Sequence, residues 1–232
     1  MSVFSYHLVK TSFTSALSAV LFPSRPENVT GLIHSEAMTV MTLGSSILSP
    51  SRMMARQLAV FGQWKDESAI DEYLNNDRTG QVLARGWHVR LSFQRQWGSI
   101  SGFSIPVGGH EGYPPDSPVV AVTLARMKML EVPRFIHWGR PVEKLVRDHP
   151  GTTLALASIR YPRTVSTFSI WRSDKEMTDM VRGHSSVPNP RRHADAMKER
   201  DRKDFHFEFT TLRFRPISET GEWNGRANII PI

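Results

Sequence analysis

With nine histidines and no cysteine, the chain has a restricted chemistry. Without thiols there can be no disulfide, no thiolate nucleophile, no iron–sulfur ligation, no thiolate-bound haem and no cysteine-based zinc site. Zinc-ligand spacings such as H-x-x-E-H are absent. The glycine-rich runs G-S-I-S-G and V-G-G-H lack both the Lys-Ser/Thr ending and the following helix of a phosphate loop. No Ser-His-Asp order and no nucleophile elbow is visible. The remaining candidates are histidines and arginines late in the chain. His193 lies in R-R-H-A-D-A-M-K-E-R, one helical turn from Met197, and Asn189 can cap and Pro190 open its short helix. It reads either as a ligand or as a helix histidine that is only half buried. His206 stands on the strand face opposite Phe205 and Phe207, pointing either to solvent or inward as a hydrogen-bond donor. Arg213 and Arg215 straddle Phe214, where they can receive acidic ligand groups or solvate an outer sheet face.

Those residues need a scaffold. The 232-residue chain is 40% hydrophobic and 22% charged, ordinary values for a soluble globular protein able to bury a sizeable core. A net charge of +7 implies attraction to an anion: nucleic acid, an anionic membrane surface or an acidic ligand. The positive charges are spread over both halves, which argues against a nucleic-acid binder. Nothing approaches the ~18 consecutive apolar residues of a membrane span. The apolar run Phe13–Phe22 lacks the flanks of a signal peptide, since Lys10 follows a strand-like run and no small-residue cleavage site comes after. The expectation is a cytoplasmic protein, with peripheral contact to anionic lipid.

Periodicity gives two similar sets of elements. In the first, a strand at 3–10 precedes a helix at 11–22 whose Phe13, Leu17, Val20 and Leu21 share a face. Strands follow at 38–48 and 56–64, separated by a turn at 49–51. Asp66 then caps a helix burying Ile70, Tyr73 and Leu74, and a strand begins at Trp87. Residues 98–117, rich in Gly, Pro and Ser, read as a connection. The second set has strands at 119–124, 152–161 and 164–171 and a helix at 133–146. Ser173 then opens a helix with Glu176 at capping-box spacing. The last strand carries Phe205, Phe207 and Phe209 and shifts phase at Thr210–Thr211, which suggests a bulge. Trp64 and Trp171 each end the third strand of their set, and the caps Asp66 and Ser173 follow two residues later. Each half therefore reads β-α-β-β-α-β, the ferredoxin-like unit. The expected fold is α+β, with halves at 1–97 and 118–232 joined by 98–117, their antiparallel sheets packed face to face or closed into one barrel.

T-F-S-I-W at 167–171, H-A-D-A at 193–196, L-R-F-R at 212–215 and G-E-W-N-G-R at 221–226, in that order, resemble the spheroidene monooxygenase family of carotenoid-modifying enzymes. The resemblance covers most of the chain. It implies a duplicated ferredoxin-like barrel of the dimeric α+β type. It also implies oxygen-dependent oxidation of an acyclic carotenoid methylene to a ketone, with haem as cofactor and an electron donor the chain does not indicate. On that basis His193, within the family's His-Ala-x-Ala, is the axial ligand, with Ala194 and Ala196 leaving room for a flat macrocycle and Met197 beside it. Arg213 and Arg215 would meet the haem propionates, while Trp171 and His206 would line the pocket of an apolar substrate. Two alternatives stay open: a haem enzyme of dehydratase or peroxidase type on the same barrel, and a cofactor-free protein binding a small apolar molecule.

Overall fold

A computed structural model describes residues 2–45, 52–103, 105 and 113–231. The first half comprises β1 (Val3–Lys10), α1 (Phe13–Leu21), β2 (Leu32–Met41), β3 (Met53–Trp64), α2 (Glu67–Asn76), α3 (Arg78–Leu83) and β4 (Trp87–Ser99). The second comprises β5 (Val119–Met127), a short 3-10 helix (Met129–Glu131), α4 (Val132–Asp148), β6 (Thr152–Arg160), β7 (Thr164–Trp171), α5 (Asp174–Arg182), α6 (Arg192–Arg202) and β8 (His206–Thr220). The strands form one closed antiparallel barrel in the order β1-β3-β2-β6-β7-β5-β8-β4. Within each half the first strand pairs with the third and fourth, as a ferredoxin-like unit requires. The halves join where β2 meets β6 and β4 meets β8.

The two halves superimpose in register. Val3 lies opposite Trp64 and Val119 opposite Trp171; Tyr6 lies opposite Val89 and Val122 opposite Leu212. The second helices begin alike. The Asp66 carboxylate accepts the Ala69 amide at 3.0 Å, and the Ser173 hydroxyl accepts the Glu176 amide at 3.1 Å. Each cap satisfies an orphan donor of the first turn.

Alternation along the strands turns one set of side chains into the barrel. Phe4, Tyr6, Phe61, Trp87, Phe168 and Phe214 fill it and are fully buried, with Tyr6 and Phe168 stacked at 3.8 Å between centroids. Such an interior is a packed core and leaves no room for a ligand. The tail plugs one end: Trp223, Ile229 and Ile230 join the core, and the Glu219 carboxylate accepts the amides of Ile229 and Ile230 and the Trp87 indole N–H at 2.6–2.9 Å. At the other end the buried Glu36 carboxylate lies 2.6 Å from Arg160 and 3.6 Å from Arg126.

Several expectations are corrected. The second strand is Leu32–Met41 instead of 38–48, and the 49–51 turn lies outside the described residues. β4 runs through Ser99, so the first two residues of the expected 98–117 connection belong to a strand. The irregularities in β8 fall at Phe207, between the pairs Arg126–Glu208 and Met127–His206, and at Ile217, between Arg90–Ser218 and Leu91–Pro216, not at Thr210–Thr211. The first leaves Phe207 exposed while Phe205 is buried. Asn189 does not cap α6; it sits in the left-handed region at φ 55°, which asparagine tolerates, and the helix starts at Arg192. In α1 the small residues Ala16 and Ala19 face the sheet, and Phe13, Leu17 and Leu21 face outward.

Candidate functional site

The outer faces of the two half-sheets should be equivalent, yet their coverings differ. In the first half Val60, His7 and His88 form a row across β3, β1 and β4, and all three are buried. His7 and His88 pack with ring centroids 5.2 Å apart, and Trp64, Ile70, Tyr73 and Leu83 complete the layer under the helices. The equivalent row in the second half is Thr167, Thr123 and Thr211, and all three are half-buried. Beside them Ala121 is also only partly covered. Helices α4, α5 and α6 stand over this side; α6 lies against α4 and α5, and its Arg200 stacks 4.5 Å over the Phe209 ring near the start of β8. Along α4 the side chains of Phe135, Ile136, Trp138 and Val142 are half-buried, and Leu145 alone is fully covered. The result is a solvent-accessible floor of small side chains beneath apolar walls. A hollow of about 300 Å³ opens beside it, lined by Trp97, Arg200, Asp204, Phe207 and Phe209 among others.

His193 belongs to this side of the molecule. Its Nδ1 is 3.1 Å from the Val181 carbonyl of α5, and a carbonyl can only accept, so Nδ1 carries the hydrogen. Nε2 therefore holds a lone pair, with no hydrogen-bond partner among the described residues. Burial holds the imidazole below its ordinary pKa, the Val181 carbonyl opposes that, and the nearby Arg200 guanidinium adds to it. The ring is neutral at pH 7. A neutral imidazole whose far N–H is fixed by a backbone carbonyl has the orientation and tautomer of a metal ligand.

His206 is buried, not solvent-facing. Its Nδ1 lies 2.9 Å from the Asp204 carboxylate, which also accepts the His206 amide, and its Nε2 is buried without a partner. Burial depresses its pKa despite Asp204. The rings of Phe135, Phe205 and Phe209 pack around it at 5.0–5.7 Å between centroids.

The other expected residues separate. Met197 is half-buried on α6, one turn from His193. Trp171 is sealed under α5 with Met177, Met180 and Leu145, its indole N–H donating to Ser169 at 2.9 Å. It presents no surface to a ligand. Arg213 is engaged with Asp174 at 2.8 Å and Thr178 at 3.1 Å, and stacks 4.7 Å over Trp97. The first half repeats this clamp, with Arg90 bonded to Glu67 at 2.9 Å and to Asp71. Arg215 lines a different place, a groove of about 850 Å³ over the β4–β8 seam with Tyr113, Pro216 and Ile217. That groove is the larger of the two and neither is lined by a histidine, but Arg200, which lines the smaller one, lies near enough to His193 to act on its charge. Sequence reasoning missed Arg200 and the threonine row. Arg200 sits one of several cations in a charged helix, and the row becomes visible only when strands are paired.

No protein-family model matches the chain. It aligns with the spheroidene monooxygenase of Rubrivivax gelatinosus, 27% identical over 180 residues, covering 75% of this chain and 66% of that enzyme. This chain is similar to a spheroidene monooxygenase. The matched part spans just under two thirds of the spheroidene monooxygenase length. Among solved structures, an aldoxime dehydratase in complex with butyraldoxime shares the fold with a TM-score of 0.52 at 10% identity, covering 94% of this chain and 80% of that one. An anthrone oxidase-like protein aligns with a TM-score of 0.36 at 12% identity over 97% and 94% of the two chains.

Proposed function

We propose that this chain is an oxygenase of the spheroidene monooxygenase kind, acting on an apolar, carotenoid-like substrate with haem held in the cleft of the second half. The observation that carries this reading is His193, a neutral imidazole fixed through Nδ1 by the Val181 carbonyl, whose Nε2 has no hydrogen-bond partner among the described residues. The residues present fit the group. His193 Nε2 would hold the iron, the small side chains of Thr167, Thr123, Thr211 and Ala121 would leave room for the group, and Arg200 would meet a carboxylate. When bound, haem supplies dioxygen activation.

The chain's own residues do the rest. The Val181 carbonyl holds the His193 tautomer, and Phe135, Trp138 and Val142 of α4 offer an apolar wall that excludes water from a hydrocarbon substrate. His206 Nε2 is a buried acceptor whose proton affinity burial lowers, with Asp204 opposing that and Arg200 adding to it, so it stays an unprotonated acceptor. Converting a methylene to a ketone takes two oxygen insertions. The first consumes one O₂, two electrons and two protons and gives the alcohol and a water; the second consumes the same and gives the ketone and two waters. The electrons must come from an external donor. The basic surface favours a working place beside anionic lipid, where such a substrate dissolves.

The test is the absorption spectrum of protein purified from haem-replete cells, next to His193→Ala. A Soret band abolished or shifted by the substitution is the expected result. A band indifferent to it would remove His193 as ligand. No band even after adding haemin would leave a cofactor-free binder of small apolar molecules.

A further inference from the structure

Helix α1 is built the wrong way round for a helix whose only task is to cover a sheet. It presents Ala16 and Ala19 to β2 and β3 and turns its large apolar side chains outward. Phe13 is 54% exposed, Leu17 44%, Leu21 59% and the following Phe22 76%. The spacing of Phe13, Leu17 and Leu21 puts them on one stripe along the solvent side. The polar residues between them, Thr14, Ser15 and Ser18, are small and uncharged.

Charge frames the stripe with one sign. From Lys10 to Pro26 the chain carries Lys10 and Arg25 and no acid, and the first acid after it is Glu27. Arg56 of β3 joins them, its backbone carbonyl accepting the Thr11 amide at 2.9 Å and its guanidinium reaching the Thr11 carbonyl at 3.5 Å. Lys10, Arg25 and Arg56 are all exposed.

We propose that α1 is a lipid-docking element that seats the protein on an anionic membrane surface, with Phe13, Leu17, Leu21 and Phe22 entering the headgroup–acyl boundary and Lys10, Arg25 and Arg56 meeting the headgroups. A short helix with aromatic and leucine side chains on one face and flanking cations has the make-up of an interfacial helix. A second copy of the chain fits less well. Taking ~200 Å² for each full side chain, the stripe offers roughly 400 Å², about half of what one partner contributes to a standard interface. Two copies would also bring like charges together. The inference extends the oxygenase reading by saying how the protein reaches an apolar substrate, but its test needs neither haem nor turnover.

Because the chain has no native cysteine, Leu17→Cys can carry a single environment-sensitive dye, with Glu72→Cys on exposed α2 as the control. Vesicles of 30% phosphatidylglycerol in phosphatidylcholine are the probe. The expected result is co-flotation of the native protein at low salt, a blue shift of the dye at position 17 and none at 72. The triple variant Phe13→Ser, Leu17→Ser, Leu21→Ser, all at exposed positions, should lose at least 10-fold in vesicle partitioning with an unchanged circular dichroism spectrum. No flotation, flotation unaffected by the triple variant, or a concentration-dependent dimer that the triple variant dissociates would each overturn the proposal. Loss of haem or of oxygenase activity with vesicle binding intact would count against the catalytic reading alone.

Discussion

Thr123 of β5 and Thr211 of β8 stand opposite each other with their hydroxyls 3.2 Å apart, at the place where the first half of the barrel holds the stacked pair His7 and His88. One backbone arrangement is thus used twice, once with bulky buried side chains in its outer layer and once with smaller, half-buried ones.

Filling out the smaller layer should close the site without unfolding the protein. Thr123→Leu with Thr211→Leu adds apolar volume to a floor that is half-buried, where overpacking is mild. Haem uptake, followed by titration with haemin, is expected to weaken at least 10-fold while the melting temperature moves by no more than a few degrees. Unchanged uptake would place the group elsewhere.

The two candidate histidines should behave differently. His206→Ala removes a ring packed among Phe135, Phe205 and Phe209 and should cost about 1–3 kcal/mol in denaturant unfolding. It should leave a Soret band in place. His193→Ala, at a half-buried site, should cost less stability and take the band away. The reverse pattern would exchange their roles.

Arg213 holds the start of α5 to β8 through Asp174, as Arg90 holds α2 to β4 through Glu67 and Asp71. Both arginine side chains are largely covered, and Asp174 is less exposed than Glu67. Replacing Arg213 by Met should therefore cost about 1–2 kcal/mol, and Arg90→Met less, because the exposed carboxylates of α2 are better solvated when freed. Equal costs in chemical denaturation would argue that exposure does not control these clamps.

Acid should destabilise the fold through its histidines. Burial lowers the pKa of His7, His88, His149, His193 and His206 below the ordinary value. As pH falls below about 6.5 the unfolded chain takes up protons that the folded chain does not, so stability declines from there downward and is fully present above it. Urea midpoints at pH 7.5 and 5.5 should differ, the lower pH giving the lower midpoint. His7→Gln, which keeps a hydrogen-bonding group near Ser5, should reduce the difference.

Much of the architecture follows from local rules. Alternation in 3–10, 56–64, 87–94 and 164–171 announces strands, and the caps Asp66 and Ser173 two residues after Trp64 and Trp171 announce a duplicated unit. These features are readable because hydrogen bonding and side-chain period act over a few residues. Periodicity also placed Phe13, Leu17 and Leu21 on a common face, but which face of a helix finds a partner depends on the sheet it meets, and here that sheet takes the alanines. His206 read first as facing water, and α4, more than sixty residues earlier, decided against it by bringing Phe135 against the ring. Arg213 read as solvating an outer sheet face or meeting an acidic ligand group, and α5 gave it Asp174 instead. The cleft was the least legible feature, since a threonine on a strand is unremarkable alone. Only strand pairing puts Thr167, Thr123 and Thr211 in one row, and only the overlying helices make their small volume count. Sequence by itself determined the elements and their repetition; the side-chain partners, which depend on long-range contacts, were decided by the tertiary structure.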